Sequence, residues 1–539
     1  MSANVQIAAR KVASVNPATG AALGEFDCAS ISEVHAAVAR AHAAQPTWAS
    51  LDVRLRIAIL QKFQHLLHQK KSEVAQLVTR EAGKPYVEAL LTEVLVVLDA
   101  ARFLIENAYQ LLRDEPVPHG NLAMKAKSGR LLREPYGVIG IISPWNYPFS
   151  IPATESLAAL VAGNAVVLKP SEFTSLTAME LASLFHQAGV PKEIFQVITG
   201  DGSTGAALVD ASPVDTSLPR ASSPPSSIDK LVFTGSVPTG KRIAQAAAAR
   251  LLPVVLELGG KDPMLVLDDA DVEIASSGAI WGAFVNAGQA CLSVERCFVH
   301  RSLYAPFLEA CARKTGQLRV GDGMDPKTDV GPLIHERQLL NVESHVENAR
   351  AHGARVLAGG KRLPELGPNF YAPTVLADVT PEMRIMREET FGPVLPVVPF
   401  DSDDDAVRLA NDSEYGLAAS VWTRDRLRGQ AIARRIQAGT VMVNDVLSCF
   451  GISEAPHGGM KASGIGRSHG RWGLEEMVRT KYMDSDRLPG TAKVWWYGYG
   501  NAFAGQMEGL LDMQFARRWT QRLRGAVKAV GALKPKRPR

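Results

Sequence analysis

Cysteine is scarce in this chain of 539 residues. The five cysteines are odd in number and widely scattered, at Cys28, Cys291, Cys297, Cys311 and Cys449. This pattern is not typical of a disulfide framework or of a structural zinc site, and it favours a reducing, cytoplasmic setting. No apolar run reaches the ~20 residues of a membrane-spanning helix, and the N-terminus lacks a hydrophobic signal core, so export is not expected.

Acidic residues are absent from residues 513–539, which hold nine Lys and Arg. Because the whole chain has a net charge of only +4, the basicity belongs to this tail and the remainder is mildly acidic. That distribution argues against nucleic-acid binding by the main domains. The chain is 46% hydrophobic and 21% charged, as in ordinary globular proteins, and is long enough for two or three domains.

Short apolar runs rich in β-branched residues alternate with helical patterns beyond residue 136. A first block has predicted strands at 137–143, 164–169, 194–199, 230–234 and 254–258. A second block has them at 263–267, 296–300, 354–358, 394–400, 419–423 and 440–444. The alternation predicts two α/β domains, the first with a parallel sheet covered on both faces, and ligands bind beyond the carboxyl ends of such strands. Residues 31–112 have helical periodicity, and the Ser- and Pro-rich segment 211–227 is expected to be a surface loop without chemistry.

Polar residues follow several of these strands. Asn146 in WNYPF could donate its amide N–H to an oxyanion, or simply form a turn. Lys169 and Glu172 in LKPSE could hold ribose hydroxyls, although Lys-Pro often only ends a strand. Gly235 and Ser236 in FTGSVPTG could bind phosphate at a helix start, but the spacing is not GxGxxG and a plain turn fits equally.

A cysteine and an upstream carboxylate complete the candidate chemistry. Cys291 lies among small residues in GQAC, and Glu257 lies in LELGG. Together they suit covalent chemistry on a carbonyl, with the carboxylate as general base, whereas each alone is more often a buried thiol or an ion-paired Glu. Glu389 and Phe391 in EETFGPV could hold a second ribose and a flat ring, or form a charged turn and a core aromatic.

Taken together, the segments PWNYPF, KPSE, FTGS, LELGGK, GQAC, EETFGP and GGMKASGIGR resemble the aldehyde dehydrogenase superfamily over residues 15–485. The resemblance implies a Rossmann-like cofactor domain, an α/β catalytic domain and a small β bridging element. The implied boundaries are 1–120 with 137–257 for the NAD(P)-binding domain, 258–457 for the catalytic domain, 121–136 with 470–485 for oligomerisation, and 486–539 for an additional tail. The implied assembly is a homodimer or tetramer.

The resemblance also assigns roles. Cys291 is the expected nucleophile, Glu257 the base that activates water, and Asn146 the oxyanion donor together with the Cys291 backbone N–H. The expected cofactor-binding residues are Trp145, Lys169, Glu172, Gly235, Ser236, Glu389 and Phe391, with no metal. The implied reaction oxidises an aldehyde to a carboxylic acid through a thiohemiacetal and a thioester, with NAD, and NADP as an alternative, because a Glu at 172 disfavours a 2′-phosphate.

Two other functions stay open. An acylating relative would pass the thioester to coenzyme A, and such members dispense with a base at the position of Glu257. A non-catalytic scaffold could retain the fold, although the intact set Cys291, Glu257 and Asn146 argues against it. The chain departs from the family pattern at His457, which replaces an aromatic near the expected substrate mouth, and at Val237, which replaces a Thr beside the cofactor.

The tail has a pattern of its own. Residues 494–503 are strongly aromatic, and apolar residues from Phe515 to Val530 recur at three and four with arginines mostly on the opposite face. A basic amphipathic helix of this kind suits an anionic membrane surface, so the cytoplasmic protein could sit peripherally on the inner membrane face. The alternative is a helix packed on the body or on a partner subunit.

Overall fold

The structure is a computed structural model that describes residues 10–121, 124–210, 227–491, 493, 495–497 and 499–530. The chain forms two compact units. One comprises Met1–Arg113 and Arg133–Arg479, and the other comprises Asp114–Leu132 and Thr480–Arg539, each within the described ranges. The predicted insertion at 211–227 lies almost wholly outside the described residues.

The N-terminal region is a hairpin followed by helices. Strands β1 Lys11–Val15 and β2 Ala22–Asp27 pair antiparallel. The helical periodicity of 31–112 is confirmed by α1 Ile31–Ala49, α2 Val53–Gln69, α3 Lys71–Ala82, α4 Tyr86–Ala89 and α5 Val96–Leu112. Between α4 and α5, Leu90–Leu95 form a π-helical turn, a geometry that is often associated with functional sites. Two strands, β3 Glu115–Val117 and β4 Lys127–Pro135, follow and pair antiparallel.

The first predicted α/β block is confirmed. Its parallel strands are β5 Val138–Ile142, β6 Ala165–Lys169, β7 Phe195–Val197, β8 Lys230–Thr234 and β9 Val254–Glu257. Its helices are α6 Ser150–Val161, α7 Ser175–Ala188, α8 Gly202–Asp210 and α9 Val237–Ala248. Strands β5 and β6 are almost completely buried, because helices cover both faces of the sheet.

The second block forms a larger sheet. Its strands are β10 Asp262–Val266, β11 Val294–His300, β12 Arg355–Ala358, β13 Thr374–Ala377, β14 Val394–Phe400, β15 Ala418–Trp422 and β16 Thr440–Val443. Its helices are α10 Val272–Phe284, α11 Tyr304–Thr315, α12 Glu336–Ala351, α13 Arg384–Arg387, α14 Asp403–Asn411 and α15 Arg426–Ala433. The order is β12-β13-β14-β11-β10-β15-β16, with β12 antiparallel to β13 and the other pairs parallel. Strand β13 was not predicted from the sequence.

The chain then returns to the first sheet. Strand β17 Gly464–Ile465 pairs antiparallel with β9, which gives that sheet the order β17-β9-β8-β5-β6-β7 and sets Gly464 opposite Glu257. Helix α16 Gly470–Glu475 and strand β18 Val478–Asp486 follow, and β18 joins β4 and β3 in a three-stranded sheet. Each of the two larger sheets has its own hydrophobic core.

The tail contains two helices, α17 Asn501–Phe515 and α18 Trp519–Ala529. The prediction of one helical face beginning at Phe515 is therefore wrong at its start, because Ala516 adopts an extended ψ of 138° that ends α17. Gly509 and Gly525 let the two helices approach closely, since a Cβ on either would lie 2.5 Å from an atom of the other helix. None of the helices in the described part of the chain is long and apolar enough to cross a membrane.

Candidate active site

Cys291 lies in a strained turn between α10 and β11. Asn286 and Ala287 have positive φ angles of 52° and 55°, which L-residues adopt at a cost of roughly 1–3 kcal/mol each. Gly288 follows with a φ of 72°, and a Cβ on this residue would overlap the backbone of Gly392. The backbone N–H of Asn286 donates to Glu88 Oε2 at 2.8 Å, which holds the turn in place. The turn leaves Cys291 partly accessible, unlike the buried Cys297, Cys311 and Cys449.

Asn146 is tied to the same turn. It is buried, and its Nδ2 donates to the carbonyl of Gln289 at 3.1 Å. The side chain of Asn286 in turn donates to the carbonyl of Asn146 at 3.0 Å. One amide N–H of Asn146 is therefore engaged with the turn that carries Cys291. The second N–H of this amide is the donor that could stabilise an oxyanion.

Glu257 ends strand β9 in a buried position. Neither of its carboxylate oxygens has a hydrogen-bond partner among the described residues. Burial raises the pKa of Glu257 well above its usual value, and the negative charge of Glu155 adds to the increase. Such a carboxyl is a strong base once ionised, as a general base requires. His457 Nε2 lies 4.0 Å from Glu257 Oε2, but burial lowers the pKa of His457 to about 3, so the pair is not ionic.

The environment of Cys291 opposes ionisation of its thiol. Burial raises the pKa of Cys291 well above its usual value, and the charge of Asp262 is the next cause. The carboxylates of Glu389 and Glu257 act in the same direction. Cys291 is therefore a protonated thiol at neutral pH in the ligand-free protein, and its attack on a carbonyl requires a base nearby.

The ten residues predicted for the site all line one cavity of about 460 Å³. They are Trp145, Asn146, Lys169, Glu172, Gly235, Ser236, Glu257, Cys291, Glu389 and Phe391. Most of them follow the carboxyl ends of β5, β6, β8 and β9, where a parallel sheet binds its ligands. The cavity is a groove that leads to the thiol.

The groove has the features that a dinucleotide requires. Ser236 is the residue before α9, and among the described residues no side chain caps this helix. Pro238 has no N–H, so the N–H groups of Val237 and Thr239 are the ones available to phosphate. Lys169 Nζ lies 3.7 Å from Glu172 Oε2, which places a donor and an acceptor together at the end of β6. Trp145 and Phe391 contact edge to face with ring centroids 5.4 Å apart, and they form an aromatic wall.

A buried ion pair positions the loop of Glu389 and Phe391. Lys261 Nζ lies 2.5 Å from Glu295 Oε2, and Glu295 also accepts from the backbone N–H groups of Thr390 and Phe391. Glu389 itself accepts from the Gly260 N–H at 3.0 Å. Gly259 makes room for it, since a Cβ there would lie 2.5 Å from Glu389 Oε2. Gly259 and Gly260 of LELGGK therefore help to position the loop of Glu389 and Phe391.

Several lining residues were missed by the sequence reasoning. His335, Gln338 and Asn341 at the start of α12 border the groove, and His335 contacts Trp145 at a ring distance of 6.0 Å. Glu155, in the middle of α6, was also missed although its charge acts on Glu257. Glu155 is the one charged residue of a wholly buried helix, and that exception was the available signal.

Cys291 also borders a second cavity, of about 240 Å³. This tunnel is lined by apolar residues of the π-helical turn, of α6, of α10 and of the segment after β16. His457 packs edge to face on Phe450, which lines the tunnel, at a ring distance of 5.2 Å. Cys291 thus lies where a polar groove and an apolar tunnel meet.

Comparison with known proteins places this geometry in context. Residues 5–483 match the aldehyde dehydrogenase family. The chain is 39% identical to a 4,4′-diapolycopene aldehyde oxidase of Methylomonas sp. over 93% of this chain and 91% of that protein. It is 36% identical to a mitochondrial succinate-semialdehyde dehydrogenase of Oryza sativa subsp. japonica, over 87% and 85%.

Solved structures also resemble this chain. An aldehyde dehydrogenase of Bacillus cereus in complex with NAD+ superposes with a TM-score of 0.82 at 36% identity, covering 88% of this chain and 93% of that one. An NADP-dependent enzyme of E. coli gives 0.82 at 34% identity, over 88% and 95%. The chain belongs to the aldehyde dehydrogenase family. Membership confirms the predicted fold and the prediction of an NAD(P)-dependent oxidoreductase of aldehydes, while the roles of individual residues stay predictions.

Proposed function

We propose that this aldehyde dehydrogenase oxidises its substrate at Cys291, with Asn146 as oxyanion donor and Glu257 as general base. The observation that carries the proposal is that Cys291 borders both the groove and the tunnel, so one sulfur can meet a substrate from one side and a cofactor from the other. The three residues come from three separate segments, and hydrogen bonds through Gln289 and Asn286 tie two of those segments together.

The chemistry follows from the charges at the site. As the sulfur bonds to the aldehyde carbon, the thiol proton passes to a base, and Glu257 is a buried carboxylate without a partner in the same groove. The carbonyl electrons move to oxygen, where the Asn146 amide and the Cys291 N–H stabilise the negative charge. One such donor contributes about 3 kcal/mol in the transition state. Departure of a hydride leaves a thioester on Cys291. After Glu257 has released the thiol proton to solvent, it takes a proton from the attacking water, and the acid leaves as the Cys291 sulfur regains a proton.

The residues of the groove fit a nicotinamide dinucleotide, which supplies the acceptor for the hydride when bound. Ser236 and the start of α9 would hold the pyrophosphate, and Lys169 with Glu172 the adenine ribose. Glu389 would hold the second ribose, next to the aromatic wall of Trp145 and Phe391. The carboxylate of Glu172 favours NAD, and NADP is the second candidate because similar enzymes use it.

The presence of Glu257 favours hydrolysis over transfer to coenzyme A. A thioester waiting for an external thiol must be protected from water, whereas a buried carboxylate on the same cavity promotes attack by water. Product analysis with and without coenzyme A distinguishes the two: we expect the free acid in both cases, and an acyl-coenzyme A product would favour the acylating class.

The central test uses two variants and one control. Cys291→Ala should abolish oxidation while NAD binding persists. Glu257→Gln should form the thioester slowly, because the Cys291 thiol loses its base, and should hydrolyse it more slowly still, so that mass spectrometry of the intact protein detects an acyl adduct on Cys291. Cys28→Ala removes the other partly accessible cysteine and should leave turnover unchanged. Rapid turnover in Glu257→Gln without an adduct would assign the base to another residue.

We also propose that residues 121–136 and 470–485 join subunits of a homodimer or tetramer, alongside a cofactor domain (1–120, 137–257) and a catalytic domain (258–457). Strand β18 is an edge strand of nine residues, and Tyr482 and Met483 on it are 49% and 44% exposed. Long exposed edges of this kind tend to pair with another chain. Light scattering should give at least twice the monomer mass, and Met483→Pro should reduce it.

A third proposal concerns the tail, which we assign to a peripheral site on an anionic membrane surface, the cytoplasmic face of the inner membrane. The apolar side chains of α18 are exposed, with Trp519 at 71%, Leu523 at 57% and Val527 at 77%. Exposed Arg522, Arg524 and Lys528 share the helix. An apolar face combined with basic side chains matches the chemistry of an anionic lipid surface.

A further inference from the structure

The tunnel on the substrate side of Cys291 is almost entirely apolar. Leu95, Ile151, Trp281 and Phe450 are among its walls, and Cys291 also lines it. Its polar lining groups are few, and the Thr92 hydroxyl is already engaged with the carbonyl of Glu88 at 2.8 Å. Among the described residues that line the tunnel, none carries a charge at neutral pH.

The charged groups behind the walls do not supply a cation either. Lys84 lies behind Tyr147, with Nζ 3.8 Å from the ring centroid, but the lysine is fully buried and its Nζ contacts Glu93 Oε1 at 2.5 Å. His457 and His469 pack against Phe450. Burial lowers the pKa of these histidines to about 3 and about 4, so both are neutral at physiological pH.

The mouth of the tunnel continues this apolar character. The π-helical turn presents Leu91 and Leu95, which are 51% and 53% exposed, and α10 presents Trp281 at 45%. Large apolar side chains are rarely grouped at a surface without a ligand or partner. Leu91 and Leu95 of the π-helical turn both line the tunnel.

We infer that the tunnel selects an apolar aldehyde with a hydrocarbon chain and rejects aldehydes that carry a carboxylate. The inference rests on the proposed function, because it takes Cys291 as the reacting atom. A buried CH₂ group gains binding free energy in such walls, whereas a carboxylate would lose its hydration without finding a cation. The chain therefore differs in substrate class from a succinate-semialdehyde dehydrogenase, although it is 36% identical to a protein with that name.

Chain-length and charge series test the inference on the unaltered protein. From butanal to octanal, we expect kcat/KM to rise about fourfold per added CH₂, which corresponds to ~0.8 kcal/mol each. Succinic semialdehyde should react at least about 100-fold more slowly than butanal, which has the same number of carbons. A flat chain-length series, or a preference for succinic semialdehyde, would overturn the inference and leave the proposed function intact.

A positive charge placed at the mouth of the tunnel should change the preference between apolar and carboxylate-bearing aldehydes. Leu95→Arg is expected to lower kcat/KM for octanal and to raise it for succinic semialdehyde, each by about tenfold. Leu427→Arg adds the same charge to another exposed leucine, on α15, and should change neither value. An equal effect of the two variants would show that the tunnel does not select by charge, and inactivity of the wild-type protein toward both aldehydes would contradict the proposed function itself.

The rate at which Cys291 is alkylated tests the inference without measuring turnover. Hexanamide places a neutral chain in the tunnel, and succinamate places a carboxylate there. Hexanamide should slow the reaction of iodoacetamide with Cys291 several-fold, while succinamate at the same concentration should not. Cys28 serves as the internal reference, since its labelling should respond to neither compound. Equal protection by both compounds would count against an apolar site.

Discussion

The proposed base Glu257 and the side chain of Glu155 are both buried carboxyls. Thr234 donates its hydroxyl to Glu155 Oε1 at 3.2 Å, and Thr234 is also the strand partner of Glu257 in the β8–β9 pair. Burial raises the pKa of Glu155 to about 8. Burial is the main cause of the raised pKa of Glu257, and the charge of Glu155 adds to it, so protonation of the two groups is coupled and Glu155 contributes to the pH at which the base becomes active.

Glu155→Gln tests that coupling. The variant removes the carboxyl whose ionisation near pH 8 opposes that of Glu257, so the pKa of Glu257 should fall and the rise of kcat with pH should move to lower pH. Arg467, Glu476 and His457 also face Glu257 and remain in place, so the rise itself should persist. The measurement is a pH profile of kcat from pH 5 to 9. Glu193→Gln, an exposed glutamate, is the control, and superimposable profiles for all three proteins would exclude the coupling.

Cofactor choice also depends on one carboxylate. Glu172 would accept from the 2′-hydroxyl of NAD and repel the 2′-phosphate of NADP. Glu172→Gln keeps the size of the side chain and removes the charge, so the ratio of kcat/KM for NADP to that for NAD should rise about tenfold, or ~1.4 kcal/mol. An unchanged ratio would mean that Glu172 does not contact the ribose.

At the scale of elements, the turn before Cys291 depends on glycine. Gly288→Ala would place a Cβ against the backbone of Gly392 at a positive φ, and we expect a loss of about 2 kcal/mol or more in unfolding free energy together with slower alkylation of Cys291. Gly316→Ala is the matched control, because Gly316 has a φ of −66° and its Cβ would make only ordinary contacts from 3.5 Å. Equal melting temperatures in the two variants would contradict the packing argument.

The elements differ in how well the sequence predicted them. Strands β5, β6 and β10 are continuous apolar runs because both faces are buried, and such runs are visible without a structure. Strand β13, which directly follows Pro373, was missed although β9, β12 and β16 are equally short and were predicted. The break between α17 and α18 was missed because the apolar spacing continues across it while the backbone of Ala516 does not.

The sequence predicted some features of the candidate site and missed others. All ten predicted residues line one cavity because each follows a strand end or a turn, and parallel strands bring such positions together. The sequence could not reveal the pairing of Glu155 with Glu257 or the apolar tunnel. Both depend on residues that are distant in the chain and that meet only when helices pack on the sheets.

At the scale of the whole molecule, the tail can be separated from the ten residues of the candidate site. All ten lie in the first compact unit, whereas residues 490–539 lie in the second. Deletion of 490–539 should therefore leave the oxidation of soluble aldehydes within about twofold of the full-length value. It should abolish co-sedimentation with vesicles that contain anionic phosphatidylglycerol, because each basic residue near such a surface contributes about 1 kcal/mol.

Substitution distinguishes lipid binding from packing on a protein. Trp519→Ser with Leu523→Ser removes exposed apolar side chains from α18 and keeps every basic residue, so vesicle binding should weaken while its dependence on salt persists. Leu427→Ser, which alters an exposed leucine of the first unit, should have no effect. If the deletion and the double variant co-sediment like the wild-type protein, the tail does not bind lipid, and a lower mass of the deletion variant in light scattering would instead assign its apolar face to a partner subunit.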